Sequence, residues 1–291
     1  MRVRIIATLA LLLPCTSALA ANSMSVSQEL DTEYSYVGGA NIRGAGQNTG
    51  SVVENSSDLK YVVCPQLNKD LIGRIGFEYQ SFSFGVPAHS PVPANLIQAS
   101  AVIGFDYQVA DEWLLRVELE PGIYSDFRDI SWRDVDMPLL IGGAYLANPD
   151  LQWLFGMRVD VRSDFPVLPA IGIRWKYSDQ WTLNLMAPKP RIEYDVNQRL
   201  QLHAGAEFLV GTFAVGENFG TPRGEPRLDG KIVDYLEIRF GSGISWKLTP
   251  NITVDAEAGL VPYRWFDFDG PNINFRSHNA PYGELALHGR F

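Results

Sequence analysis

The sequence predicts an all-β protein, a transmembrane antiparallel β-barrel of about fourteen strands. The first observation is a hydrophobic period of two residues, seen most clearly over 97–109, 151–161, 200–210 and 252–260. The second is length, because a tilted strand needs roughly 9–11 residues to cross a bilayer, whereas strands of soluble proteins average about 5–6. The third is an alternation of short and longer connections, which is typical of outer-membrane barrels.

The composition excludes several other classes of protein. The chain has 291 residues and a formal net charge of −9, which argues against a nucleic-acid binder that works by neutralising phosphates. At 46% hydrophobic and 12% aromatic residues it is too apolar for a disordered chain. Its two cysteines exclude a disulfide-rich scaffold. Its uninterrupted apolar runs fall short of the roughly 18 residues that a membrane-spanning helix needs.

The start of the chain is typical of a cleaved secretory signal. A basic beginning is followed by an apolar stretch and by an A-x-A cleavage site at residues 18–20. We therefore expect residues 1–20 to be a signal peptide and residues 21–291 to form one barrel domain in the outer membrane of a Gram-negative bacterium. The alternatives are an uncleaved anchor and a lipoprotein modified at Cys15.

The strands follow from the alternating segments. The hairpin 181–196 is the weakest part of this assignment, because its two strands are short for spanning; without it the barrel would have twelve strands. The predicted strands are approximately 24–36, 58–66, 71–84, 96–109, 113–124, 136–146, 151–162, 167–177, 181–187, 191–196, 200–215, 231–248, 252–263 and 281–291.

The connections between these strands set the topology. Short turns rich in Pro, Asn and Asp are expected to face the periplasm, and longer loops the exterior. An even number of strands then returns both ends of the chain to the periplasm. The main exterior loops are predicted at 37–57, 85–95, 125–135, 216–230 and 264–280.

Aromatic residues lie beside the predicted turns. Trp113, Trp153, Trp181 and Trp246 are expected to lie at the periplasmic membrane interface, where amphipathic rings collect. The chain ends at Phe291, and a terminal aromatic residue on the last strand resembles the signal that the barrel assembly machinery reads. We expect Phe291 to serve as this signal, although the match is partial.

Residues 181–208 carry a resemblance to a known family. They read WTLNLMAPKPRIEYDVNQRLQLHAGAEF and combine a Trp-led strand, a Pro-Lys-Pro-Arg junction and a Gly-Ala-Glu triplet. This stretch resembles the outer-membrane β-barrel proteins grouped as the domain-of-unknown-function family 6268. The resemblance implies an outer-membrane barrel. It supplies neither an activity nor a functional residue, because none is assigned to the family.

The polar faces of the strands are expected to line the lumen, where acids outnumber bases. Either these charges line a water-filled channel with a cation bias, or they pair across strands and occlude the bore. The first functional hypothesis is a passive, porin-like pore for small solutes. The alternative is a non-conducting barrel that acts as an adhesin, a receptor or a structural element through its exterior loops.

These alternatives make different use of the interior. A bore narrowed by loop 37–57 or 216–230 would favour the pore, and an interior packed shut by paired charges would favour the non-conducting barrel. The residues expected to line the lumen and set ion preference are Arg158, Asp160, Arg162, Arg174, Glu207, Glu237 and Arg239.

We expect no enzymatic activity, no cofactor and no metal. His89 and His278 fall in predicted loops without hydrolase spacing, while His203 and His288 share strand faces with acids. No Cys/His cluster has zinc spacing. The expected partners are outer-membrane lipid and, during biogenesis, the barrel assembly machinery; the oligomeric state stays open.

Overall fold

A computed structural model describes residues 25–44, 47–87, 89–270, 273–277 and 279–291. The predicted signal peptide and His278 lie outside these residues. No helix in the described part of the chain is long and apolar enough to cross a membrane. The strands of this part are β1 (Val26–Gly44), β2 (Gln47–Pro65), β3 (Leu71–Gly85), β4 (Asn95–Ala110), β5 (Trp113–Leu119), β6 (Gly122–Ser125), β7 (Val135–Asp136), β8 (Leu139–Asn148), β9 (Leu151–Val159), β10 (Val167–Lys176), β11 (Trp181–Asn184), β12 (Arg191–Asp195), β13 (Leu200–Ala214), β14 (Ile232–Thr249), β15 (Ile252–Phe268), β16 (Ile273–Ser277) and β17 (Ala280–Arg290).

These strands form one closed sheet in which sequential neighbours pair antiparallel. The last strand returns to the first, with Glu29 opposite Arg290 and Val37 opposite Tyr282. Three wall strands are interrupted, since β5 with β6, β7 with β8, and β16 with β17 continue one another along shared neighbours. The seventeen segments of the described chain therefore make fourteen wall strands, which confirms the predicted barrel and its larger strand count.

The wall is taller on one side than on the other. On the tall side, β1 and β2 each have 19 residues, β14 has 18 and β15 has 17. On the low side, which runs from β7 to β12, β11 has only four residues and β12 five. We call the end of the barrel with the short connections the turn end and the opposite end the loop end. Beyond the low side, at the loop end, β6 meets β13, where the Asp126 N–H donates to the Ala214 carbonyl at 3.0 Å.

The two faces of each strand differ in chemistry. Along β4, Ile103 and Phe105 point outward and are 52% and 37% exposed, whereas Val102 and Asp106 point inward and are buried. The same pattern leaves many large apolar side chains exposed around the outside of the barrel. A soluble protein rarely exposes so much contiguous apolar surface, and a lipid-facing wall does.

The interior of the loop end is filled by buried apolar side chains, which we call the aromatic plug. Inward-facing residues of the wall strands make most of it, and the connections after β3 and β13 add Val92, Val215, Phe219 and Leu228. The rings pack edge to face, as between Phe84 and Phe266 at 5.1 Å. Its members are Ile42, Val52, Phe82, Phe84, Val92, Leu96, Tyr124, Phe213, Val215, Phe219, Leu228, Val233, Tyr235, Phe266, Phe268, Ile273 and Phe275.

Several predicted boundaries are wrong. The strand predicted at 181–187 ends at Asn184. Residues 37–57 are not a loop, because β1 continues to Gly44 and β2 begins at Gln47, so both strands rise far above the predicted membrane span. Most of 264–280 is likewise strand, in β15 and β16. In contrast, β9 ends at Val159, three residues short of the predicted end at 162. The two predicted loops, 37–57 and 264–280, are strands for one reason. Inward-facing apolar residues form a second core at the loop end, and the strands extend to enclose it.

Replacing Phe266 with alanine is expected to destabilise the loop end. Phe266 is fully buried in the aromatic plug, so the change should lower the free energy of unfolding by about 3–5 kcal/mol. Urea unfolding of the refolded protein in detergent, followed by tryptophan fluorescence, measures this loss. Leu67→Ala, at a turn residue that is 59% exposed, is the control and should shift stability by less than about 0.5 kcal/mol. Equal effects of both changes would contradict a packed plug.

Candidate functional site

The interior at mid-height is held by ion pairs rather than by apolar packing. One group, the first ion cluster, lies nearer the turn end and is centred on Arg74. Its Nε donates to Glu118 at 2.8 Å and its Nη2 to Glu29 at 3.0 Å. Glu118 also accepts from Lys60 at 2.6 Å, which links this cluster to β2. The remaining members are Glu78, Asp106, Arg116, Glu120, Arg158 and Asp160.

A second ion cluster lies between the first one and the aromatic plug and is centred on Arg239. Its guanidinium donates to Glu237 at 2.6 Å, to Glu284 at 2.9 Å and to Glu207 at 3.3 Å. Arg264 donates to Glu237 as well, at 2.8 Å. The carboxylates come from different wall strands, so a single guanidinium ties together strands that are far apart in sequence. The remaining members are Glu33, Glu54 and Lys189.

Lys189 reaches the second ion cluster from an irregular part of the wall. It lies between β11 and β12, where two prolines flank it and the Pro188 carbonyl accepts from the Phe208 N–H at 2.9 Å. Its ammonium lies 2.6 Å from Glu33, 2.7 Å from Glu207 and 3.4 Å from Glu284. Gly205 permits the close approach of this segment, because a Cβ there would lie 2.2 Å from the Pro190 carbonyl oxygen.

The three carboxylates around Lys189 also form the one acidic group in the described residues that is compact enough to hold a metal ion. Their ligand atoms lie within 4.8 Å of one another. The Lys189 ammonium lies within hydrogen-bond distance of all three, and the Arg239 guanidinium contacts them as well, so two cations balance this charge. The group is therefore part of an internal ion pair network.

Several charges of the two ion clusters are almost completely removed from water. The side chains of Arg239, Arg264, Glu54 and Glu237 are fully buried, and Arg74 is 2% exposed. Charges that lose water this completely need close partners. The distances above give such partners for Arg74, Arg239 and Glu237, whereas both Nη atoms of Arg264 and one carboxylate oxygen of Glu54 have no hydrogen-bond partner among the described residues. A cavity of about 10 Å³ remains beside Lys189 and Glu257, which is room for a single water molecule.

A serine, a histidine and a carboxylate form a hydrogen-bonded chain nearby. Ser245 Oγ lies 3.2 Å from His203 Nδ1, and His203 Nε2 lies 3.0 Å from Glu257 Oε2. Tyr282 donates to the other oxygen of Glu257. The His203 side chain is 1% exposed and packs against the backbone at Gly243. This enclosure leaves no room for a substrate at the hydroxyl, so the chain of bonds fixes side chains in the wall.

The structure places six of the seven predicted lumen residues inside the barrel. Arg158 and Asp160 belong to the first ion cluster. Glu207, Glu237 and Arg239 belong to the second. In the structure these five residues form ion pairs with other charges of the two clusters, and no contact with a water-filled channel is seen among the described residues.

The other two arginines lie apart from both clusters. Arg174 pairs with Glu193 at 3.2 Å, between β10 and β12. Arg162 lies at the loop end beyond β9, and its Nη1 donates to the Val135 carbonyl at 3.1 Å. Arg162 was predicted to line the lumen because the alternation was extended three residues beyond Val159, where β9 ends.

The predicted interface aromatics all project from the outside of the turn end. Trp113, Trp153, Trp181 and Trp246 are between 38% and 53% exposed. Trp113 packs against Tyr145 with ring centroids 4.8 Å apart. Phe291 lies at the closing seam, where its backbone exchanges hydrogen bonds with Gln28 at 2.8 and 2.9 Å.

Three charged residues that organise the interior were not among the residues predicted to line the lumen. Glu54 and Arg264 fall in segments predicted as loops, and Lys189 falls in a predicted junction. The β14–β15 ladder shifts register between Ile238 and Phe240, which moves Arg264 onto the inward face. The prolines on either side of Lys189 indicated a break in the strand but not the direction of its side chain.

The chain belongs to the family described as domain of unknown function DUF6268. The family model matches residues 66–285, which is more than half of the chain and includes most of both ion clusters. This confirms the resemblance inferred from residues 181–208. No protein among the curated sequences matches the chain.

Several solved structures are similar in architecture. The COG4313 outer membrane channel from Pseudomonas putida F1 is 9% identical, with a TM-score of 0.49, 92% of this chain covered and 97% of the other. The toluene transporter TodX from P. putida is 11% identical, with a TM-score of 0.42 and coverages of 93% and 91%. The translocator domain of the autotransporter NalP from Neisseria meningitidis is 13% identical, with a TM-score of 0.36 and coverages of 93% and 90%. At these values the likeness assigns no solute to this chain.

Replacing Lys189 with methionine is expected to destabilise the barrel. The change removes one of the two cations that Glu33, Glu207 and Glu284 share, the other being Arg239. We expect a loss of about 2 kcal/mol, below the ~3–5 kcal/mol for a fully buried pair, because 34% of this side chain is exposed. Urea unfolding in detergent measures the loss.

Two further variants test the cause of this loss. Glu207→Gln added to Lys189→Met should recover part of the stability, since it removes one of the repelling charges. Lys69→Met, at a side chain that is 83% exposed, should change nothing measurable. A Lys189→Met protein as stable as the Lys69→Met protein would show that the ammonium is not needed in the bore.

Proposed function

We propose that this protein is exported by a cleaved signal peptide and resides in the outer membrane of a Gram-negative bacterium, with its turn end in the periplasm. The band of outward apolar side chains supports this placement, because lipid solvates such a surface and water does not. The four tryptophans at the turn end and the terminal Phe291 fit the same orientation.

We propose further that the protein is a closed barrel that does not act as a general diffusion pore. The observation that carries this proposal is the complete burial of Arg239, Arg264, Glu54 and Glu237 across the bore. Opening a passage would require these charges to exchange their partners for water. The aromatic plug closes the same bore a second time, nearer the exterior.

The exterior end is then the part of the molecule that meets the surroundings of the cell. The tall strands, of 17 to 19 residues, exceed the roughly 9–11 residues needed to cross the bilayer. Their upper parts enclose the aromatic plug, and a surface supported by a packed core keeps one shape. This rigid exterior surface supports a role as an adhesin, a receptor or a structural element, without catalysis.

A gated channel for small solutes is the second candidate. It is favoured by the position of residues 216–230, which cover the bore at its exterior end through Phe219 and Leu228. The charged interior beneath them would suit a polar solute once water entered. This function requires the plug and the second ion cluster to move together.

Planar bilayer recordings separate these candidates. The refolded mature protein should give no steady conductance, and deletion of residues 217–229 should leave the bilayer silent because the second ion cluster still closes the bore. A known porin reconstituted in parallel is the positive control. Steady channels from the unmodified protein would overturn the closed barrel, and channels that appear only after the deletion would establish the gated one.

A capping carboxylate shapes residues 216–230. Asp229 accepts from the N–H groups of Gly220 and Thr221 at 2.5 and 2.9 Å and from the Thr221 hydroxyl. The hydroxyl contributes most to holding the pKa of Asp229 below its ordinary value of 3.8, and the two N–H groups add to it. Because the folded-state pKa is lowered, this support is present above the ordinary value and is lost as the pH falls through the lowered one.

Asp229→Ala is expected to loosen this loop at neutral pH. Trypsin should then cut after Arg223 or Arg227 several-fold faster than in the unmodified protein, because both arginines lie inside the loop. Mass spectrometry of timed digests locates the cuts. Asp179→Ala, in an exposed turn at the opposite end, should leave the rate unchanged. Equal cutting in both variants would contradict the capping role.

A further inference from the structure

Two neighbouring segments at the loop end of the low side expose an unusual amount of apolar surface. We call residues 130–137 and 161–168 together the low-side loops. Trp132 is 89% exposed and Val161 82% exposed. Met137, Phe165, Ile130 and Val167 are each at least half exposed. Contiguous exposed apolar surface of this kind marks an interaction site.

The low-side loops have a fixed shape. Ser131 and Asp134 form a capping box around the short helix that begins at Trp132. Ser163 Oγ and the Asp164 N–H donate to Asp234 at 3.1 and 2.9 Å, which fastens the second loop to β14. The bond from Arg162 to the Val135 carbonyl joins the two loops, so their apolar side chains belong to one surface.

This surface continues the outside of the wall. Val167 is the first residue of β10, and Ile171, further along the same outward face, is 68% exposed. Exposed apolar side chains therefore continue from the outward face of β10 into the low-side loops, where the exposed charges of Arg133 and Asp164 lie among them.

The tall side behaves differently at its loop end. Tyr34 and Tyr36 are the last exposed aromatic residues on the outward face of β1, at 52% and 48%. Beyond them the exposed residues are Gly39, Asn41 and Arg43. The outward surface of the tall side thus changes from aromatic to polar where a membrane boundary would lie, and that of the low side does not.

We infer that the low-side loops are a lipid-binding surface that lies within the outer leaflet of the membrane. This inference rests on the proposed membrane location. The occupant is bilayer lipid because the surface is continuous with the lipid-facing wall and because an exposed indole, such as that of Trp132, is suited to the boundary between acyl chains and headgroups. The tall side stands free in water, while the low side meets lipid up to its loops.

Spin-label accessibility tests this assignment. Single cysteines are placed at Trp132 and Phe165 (Trp132→Cys and Phe165→Cys) in the full mature chain carrying Cys64→Ser, and each protein is reconstituted in phosphatidylcholine vesicles. Oxygen concentrates in lipid and a nickel chelate in water, so the ratio of the two collision rates reports the surroundings of the label. Ile171→Cys reports a lipid-facing wall position, and Asn41→Cys reports a water-facing position on the tall side.

The inference predicts oxygen-to-nickel ratios at Trp132→Cys and Phe165→Cys several-fold above that of Asn41→Cys and near that of Ile171→Cys. Ratios equal to Asn41→Cys, with Ile171→Cys still in lipid, would overturn the inference and leave the membrane location intact. A water-like ratio at Ile171→Cys would instead refute the membrane location. Dipolar broadening between labels at Trp132→Cys, lost on dilution with unlabelled protein, would show that a second copy covers the surface and would also overturn the inference.

Discussion

A charge that leaves water must find an opposite charge close by, and this constraint organises the barrel. Removing a carboxylate or a guanidinium from solvent costs several kcal/mol, which close pairing and additional hydrogen bonds offset. Arg239 meets this requirement by contacting carboxylates from several wall strands. Arg74 does the same nearer the turn end. Because the carboxylates that each arginine contacts are on different strands, the ion pairs fix the distances between these strands and fill the bore.

The height of the wall matches the division of the interior into a charged part and the aromatic plug. Where ion pairs fill the bore, the charged side chains come from the tall side and, on the low side, from β9 and from Lys189 between β11 and β12. Closer to the loop end, the low-side strands have stopped and β6 meets β13, so the remaining strands enclose a narrower space. Aromatic side chains fill that space without any charge to satisfy, and residues 216–230 complete it with Phe219 and Leu228.

Much of this arrangement could be predicted from the sequence. The period of two along β4, β13 and β15 gave the strands, and the alternation of short and longer connections gave the topology. The interior residues that were not predicted have a common physical origin. The alternation of polar and apolar residues shows which face of the sheet a side chain is on only while the strand pairing keeps its register. It slips in the β14–β15 ladder before Arg264, and it is absent where the prolines around Lys189 break the strand. Glu54 was missed because aromatic residues pointing inward were not expected above the membrane.

We propose that dehydrated ion pairs close the bore, and the reactivity of a thiol placed among them measures that closure. Ser56 faces the bore and lies 3.3 Å from Arg239 Nη2, so a cysteine placed there in the Cys64→Ser chain samples the closed level. We expect a cationic methanethiosulfonate reagent to leave this thiol unmodified in the folded protein and to label it fully after unfolding in urea. Rapid labelling of the folded barrel would mean that water and small cations reach the middle of the bore.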